Sequence, residues 1–157
     1  MRVNLDEFDL RILSFVQRNN RLSAEEIADK ACLSPSAVQR RLRRLRRNGV
    51  IEADVSIIAP AAIGRDLVVI VEVVLEREKA DILAAFKELM LNAPEVMQCY
   101  YITGEADFVL IMTAKNMPDY EAFARRFFSE NPDVRRFRTS IVISRVKSGL
   151  TLPLETD

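Results

Sequence analysis

The sequence predicts an α+β protein of two domains, an N-terminal cluster of three helices followed by a C-terminal ferredoxin-like sheet domain. Three observations predict it. Apolar residues recur at helical spacing through the first part of the chain, between segments that carry start and stop signals for helices. From Leu67 onward, β-branched runs and helical patterns follow one another in the order β-α-β-β-α-β. Charge divides at nearly the same place: residues 1–60 hold 11 Lys/Arg against 8 Asp/Glu, and residues 61–157 hold 12 against 15. The zero net charge of the chain therefore joins a basic front to an acidic back.

In the front part, Leu5-Asp6-Glu7 opens the first helix, Ile12, Leu13 and Val16 share a face of it, and Asn19-Asn20 ends it. Ser23 with Glu26 three residues on is a capping-box pattern, starting a short helix that carries Ile27 and Ala28. Cys32-Leu33 is a tight connection. Ser34 then caps a third helix, with Pro35 at its first position, where the missing N–H sacrifices no hydrogen bond. That helix runs to Asn48, and Gly49 is placed to end it in a left-handed conformation. ADVSII, residues 53–58, alternates and predicts a strand, with a connection from Pro60 to Gly64.

The back part begins with Leu67–Leu75, a strand with β-branched residues on both faces. Residues 79–92 place Ile82, Phe86 and Leu89 at helical spacing. Val96–Thr103 and Asp107–Ala114 are strands joined by a turn at Gly104-Glu105-Ala106. Pro118 starts a helix with Tyr120, Phe123 and Phe127 on one side, and Val134–Val146 is a last strand with Phe137, Thr139, Ile141 and Ile143 on one face. Two helices cover only one face of a four-stranded sheet. The first strand is nonetheless apolar on both faces apart from Glu72, and the third nearly so, which predicts dimerisation through the uncovered face. The domains are expected at 1–52 and 66–157, with a linker strand and connection over 53–65. Phe123, Phe127 and Phe128 are expected in the core, and Cys32 and Cys99 as small buried hydrophobes.

Composition removes several chemistries. The chain has no histidine and two cysteines without a CxxC pattern, so Ser-His and Cys-His nucleophiles, a His general base, a disulfide framework and ordinary zinc sites are not expected. No catalytic residue, metal or cofactor is assigned. The longest apolar run, Leu67 to Val71, is far too short to span a bilayer, and the N-terminus lacks a signal-peptide pattern. A reducing cytoplasm is the expected compartment.

The third helix carries the strongest functional signal. SAVQRRLRRLRRNG, residues 36–49, places arginine at positions 40, 41, 43, 44, 46 and 47, with no carboxylate between Ser34 and Ile51. At 100° per residue, Val38, Leu42 and Leu45 form one narrow stripe, and Ser36, Arg40, Arg43 and Arg47 lie on the opposite side. A solvated surface helix usually mixes its charges, and a membrane-surface helix needs a broader apolar face. A short helix, a tight turn and a second helix opened by Ser-Pro is the order of a helix-turn-helix, which points to double-stranded DNA. Ser34, Ser36, Gln39 and Arg40 stand at the end that reaches base edges. Arg43, Arg44 and Arg47 follow where guanidinium groups meet phosphates. Four phosphate-contacting arginines per subunit of a dimer predict a log–log salt slope of about −7.

The segment LDEFDLRILSFVQRNNRLSAEEIADKACLSPSAVQRRLRRLRRNGVI resembles the N-terminal domain of the Lrp/AsnC family of bacterial and archaeal transcription regulators. YITGEADFVLIM resembles the second and third strands of that family's sensor domain with their Gly-x-x-Asp turn, and RTSIVISRVK with TLPL resembles its last strand and tail. One departure is Arg46-Arg47, where family helices often carry an acidic residue. The resemblance implies a winged-helix-like DNA-binding domain, dimers that often assemble further, commonly into octamers, and an amino-acid effector bound near the turn. Carried onto this chain, it points to Tyr101, Thr103, Gly104, Glu105, Ala106 and Asp107, with Thr139 on the last strand. The residues alone allow a plainer role, in which Gly104 permits a tight turn and Asp107 braces it. The expected function is thus a sequence-specific transcription regulator modulated by an amino acid, cytoplasmic and nucleoid-associated. An architectural DNA-binding protein without effector shares every front-half feature. Some sirohaem decarboxylases look like this family, but their activity relies on histidine, which this chain lacks.

Overall fold

The computed structural model describes residues 3–77 and 79–154. The backbone forms two compact units, one from the residues up to Ile57 with the tail from Lys147, the other Ile58–Val146. In the first, α1 (Glu7–Val16), α2 (Ala24–Ala31) and α3 (Pro35–Arg47) close around Ile12, Ile27, Ala28, Ala31, Val38, Leu42 and Leu45. Helix α1 starts at a capping box in which Asp6 accepts from the Asp9 N–H at 2.9 Å and Asp9 accepts from the Asp6 N–H at 3.1 Å. Ser23 and Glu26 form the second box, as the sequence predicts. Helix α3 ends in a Schellman motif: Gly49, at φ +69°, donates to Arg46, and Val50 donates to Leu45. The tail joins this unit through Gln17, whose amide donates to the Leu152 carbonyl at 3.1 Å and accepts from the Leu152 N–H at 3.0 Å.

The second unit is an antiparallel sheet of β1 (Leu67–Leu75), β2 (Val96–Tyr101), β3 (Phe108–Ala114) and β4 (Val134–Ile141), in the spatial order β2-β3-β1-β4. Helices α4 (Ala80–Leu91) and α5 (Met117–Ala124) supply its helical partners, and a π-helical turn at Arg125–Ser129 extends α5. Val69, Val71 and Val73 pair with Met112, Leu110 and Phe108, and these six are fully buried in a core with Phe86, Tyr120, Phe123, Phe127 and Phe128. The alternate residues Val68, Ile70 and Val74 share the other face with Val109 and Ile111. That face also carries Glu72, bonded to Arg138 at 2.5 Å, and Thr113, whose hydroxyl accepts from Arg65 Nε at 2.9 Å.

Three local expectations fail. ADVSII forms no strand: residues 53–58 are unpaired and Ile57 is 87% exposed, because alternation alone supplies no neighbouring strand to take the backbone hydrogen bonds. The last strand stops at Ile141 rather than Val146, and beyond it the Val142 N–H still bonds the Val68 carbonyl. Both cysteines are exposed rather than buried. Cys32 adopts φ +54° in the connection that ends α2, and Cys99 lies on the edge strand β2.

Candidate nucleic-acid interface and ligand turn

Helix α3 docks through Val38, Leu42 and Leu45. Its N-terminus is capped by Ser34, whose hydroxyl accepts from the Ala37 N–H at 3.3 Å and lies 3.1 Å from that of Ser36. Ser34, Ser36, Gln39, Arg40, Arg43 and Arg47 are all exposed. Among the described residues no carboxylate pairs with Arg40, Arg43 or Arg47, and Arg43 only reaches back to the Gln39 carbonyl at 3.3 Å.

The other three arginines are engaged inside the unit. Arg41 Nη1 donates to Asp9 at 2.8 Å and to Asp6 at 2.7 Å, with its guanidinium 5.5 Å from the Phe8 ring centre. Arg44 Nη2 donates to the other oxygen of Asp9. Arg46 makes a two-point pair with Asp54, at 2.7 and 3.2 Å. Partial burial opposes ionisation of Asp6, but hydrogen bonds from Arg41 and the Asp9 N–H, with the Arg41 charge, hold its carboxyl below the usual range. The Arg46 hydrogen bond does the same for Asp54. Arg44, expected at a phosphate, is paired with Asp9 in this structure. It lies on the edge of α3 that faces α1, where a fully buried carboxylate takes its donor.

The turn between β2 and β3 is exposed at Thr103, Gly104 and Glu105 and half-buried at Ala106 and Asp107. Gly104 sits at φ +134°, where a side chain is strained, although a Cβ there would meet no atom within 4 Å. Asp107 has a structural task. The ladder between β1 and β4 shifts register between Val74 and Leu75, and Asp107 Oδ2 accepts from the Leu75 N–H at 2.7 Å. Replacing Asp107 with Ala leaves that N–H without its partner, so urea unfolding of the second unit is expected to lose about 1–3 kcal/mol. A loss within a few tenths would refute the brace.

Tyr101 lies against Phe108, ring centres 5.2 Å apart, with Lys87 Nζ 4.8 Å from its own ring centre. Thr139 does not join the turn. It stands opposite Val71 on the core face, where its hydroxyl meets that of Tyr120, whose phenol is pushed up by burial. A cleft of about 590 Å³, lined by Glu76, Arg77, Lys79, Asp81, Ile82, Ala85, Pro132 and Asp133, lies beyond the same end of β1 and includes no turn residue. Among the described residues no cluster of carboxylates and cysteines has metal-binding geometry, and no helix is long and apolar enough to cross a membrane.

Known proteins share both parts. Residues 5–52 match the family model for a winged helix-turn-helix DNA-binding domain, and residues 68–152 that for the Lrp/AsnC ligand-binding domain. The chain belongs to the Lrp/AsnC family. It is 56% identical over 98% of its length to an uncharacterised HTH-type transcriptional regulator of Sinorhizobium fredii, covering 90% of that protein. It is 32% identical to the Bkd operon transcriptional regulator of Pseudomonas aeruginosa, covering 96% of this chain and 98% of that one. The crystal structure of a Neisseria meningitidis transcriptional regulator in complex with L-Met superposes with a TM-score of 0.90 at 28% identity, covering 96% of this chain and 97% of the other. This Lrp/AsnC protein is thus a DNA-binding transcription regulator of winged helix-turn-helix type with a ligand-binding domain. The sequence alone marks α3 but not the roles of Asp6, Asp9 and Asp54. Their one visible signal was the spacing of Asp6 and Asp9 at the start of α1.

Proposed function

We propose that the protein reads specific double-stranded DNA sites as a homodimer or a higher assembly such as an octamer, and that an amino acid bound at Tyr101 and Thr103–Asp107 modulates its assembly or its hold on DNA. The observation that carries the DNA part is the outward ridge of Ser36, Gln39, Arg40, Arg43 and Arg47, exposed and without carboxylate partners among the described residues. Ser36, Gln39 and Arg40 stand near the helix N-terminus and read bases, while Arg43 and Arg47 hold phosphates. Work on DNA sets the protein in the cytoplasm. Sheet-to-sheet pairing is supported by Ile70, Val109 and Ile111, half-buried apolar residues on the face opposite the core. Glu72 and Arg138 on that same face bring both charges, so a two-fold copy meets opposite sign. The amino-acid effector is supported by the L-Met complex of the Neisseria regulator, and the exposed turn suits a site completed by a second copy.

The mechanism is linkage, in which a ligand that prefers one assembly changes the population that holds DNA. The test is a thermal-shift screen of the twenty amino acids paired with mass measurement of the oligomer. One or a few amino acids are expected to raise the melting temperature and redistribute the assembly. Asp107→Asn retains an oxygen for the Leu75 N–H but removes the charge, so it is expected to keep the fold and lose the shift. No shift with any amino acid would overturn the effector reading in favour of an architectural DNA-binding protein.

A further inference from the structure

We infer that Asp9 is a positioning residue that sorts the arginines of α3, withholding Arg44 and Arg41 from DNA so that Arg40, Arg43 and Arg47 alone form the contacting ridge. The inference rests on the DNA reading of α3 and goes beyond it.

Six arginines in two helical turns repel one another, and each is a long, flexible donor able to reach a phosphate. Left unsorted, they would favour any DNA backbone over a particular site, since phosphate contacts carry no sequence information directly. The unit holds a carboxylate on each flank of α3. On one flank Asp9, 0% exposed, presents one oxygen to Arg41 and the other to Arg44 and to the Asp6 N–H. Arg41 and Arg44 are three residues apart, on one edge of the helix, so a single carboxylate reaches both. Asp6 supports Arg41 from the solvent side. On the other flank Asp54 holds Arg46. A charge buried as deeply as Asp9 needs its partners, which fixes the two guanidinium groups more firmly than an exposed pair would. Arg44 is the informative member, because its side chain is 39% exposed and Asp9 is its one acid partner among the described residues. Without Asp9 it has the length and freedom to turn toward a phosphate.

The test is the salt dependence of DNA affinity for three variants of the full chain, each checked for folding by circular dichroism. Arg43→Gln is expected to flatten the log–log slope by about 2 for a dimer, one phosphate lost per subunit. Arg44→Gln is expected to leave the slope unchanged. Asp9→Ala, which removes both acceptor oxygens and so frees Arg44 while Asp6 retains Arg41, is expected to steepen it by about 2 and to narrow the ratio of specific to non-specific affinity. A purely structural Asp9 would lower affinity without steepening the slope, and that result in folded protein overturns the inference. Arg44→Gln flattening the slope as Arg43→Gln does also overturns it, and this arm decides if Asp9→Ala fails to fold. An unchanged slope for Arg43→Gln would instead remove Arg43 from the DNA interface, a separate failure.

Discussion

Raising monovalent salt from about 50 to about 200 mM is expected to weaken DNA binding by about two to three orders of magnitude. The figure follows from the division of the arginines. Each phosphate neutralised by a cation releases condensed counterions, and the log–log slope is about −0.9 per contact on duplex DNA. Counting four arginines per subunit gives about −7 for a dimer. With its donor bonded to Asp9, Arg44 drops out of the expected count, which leaves Arg43 and Arg47 at phosphates and Arg40 at the base edges; the two give about −4, and about −5 if the Arg40 charge also displaces counterions. The measurement is a fluorescence-anisotropy titration across several salt concentrations. Changing Arg40, Arg43 and Arg47 together to Gln isolates the ridge from any other basic residue. The triple variant is expected to lose most of the slope and to retain only weak binding. A slope near −10 for the parent would mean that all six arginines reach phosphate, and the intramolecular pairs would then have to open on DNA. A shallow slope, or a triple variant that binds like the parent, would sink the phosphate assignment.

How much of this was legible beforehand depends on whether the deciding interaction is local. Helix α3 was legible in full: Ser34-Pro35 opens it, three apolar residues at helical spacing dock it, and Gly49 closes it, all within one continuous segment. The order of strands and helices was legible for the same reason, as was the burial of Phe123, Phe127 and Phe128. The linker differs from its expected strand because a strand is a pairing, and the alternation of Val55 and Ile57 cannot say whether a partner exists. Thr139 was placed correctly on the face of Phe137, yet its partner Tyr120 lies on a different element, and only the packing of α5 on the sheet brings the hydroxyls together. The sorting of the arginines was hidden in the same way. Asp9 precedes Arg41 and Arg44 by 32 and 35 residues, and nothing in helical periodicity says which edge of α3 turns toward α1. Asp107 falls between these cases. Its turn was legible, and so was a bracing role, but not the register shift at Leu75 that gives the brace something to hold.

Leu45→Ala is expected to remove DNA binding while leaving the sheet unit folded. Leu45 is fully buried among seven core residues of the first unit, and the buried core of the second unit shares none of them. Truncating a buried leucine to alanine loses transfer free energy and leaves a cavity, together about 2–5 kcal/mol. A small unit held at about 0.1 kcal/mol per residue has only several kcal/mol in total, so this one change approaches its whole stability. The consequence for DNA is direct, because the leucine stripe is what aims the opposite ridge. Once α3 is no longer docked, Arg40, Arg43 and Arg47 keep their charge but lose their common geometry. Residual binding should therefore be weak and indifferent to sequence. Urea unfolding followed by far-UV circular dichroism is expected to show an early helical transition absent from the parent, with the later transition retained. Leu45→Met, which preserves volume, is expected to lose less than about 1.5 kcal/mol and to bind nearly as the parent does. If Leu45→Ala bound specific DNA with parental affinity, the docking stripe would not be what holds the ridge in place, and the charge on α3 would act without the fold beneath it.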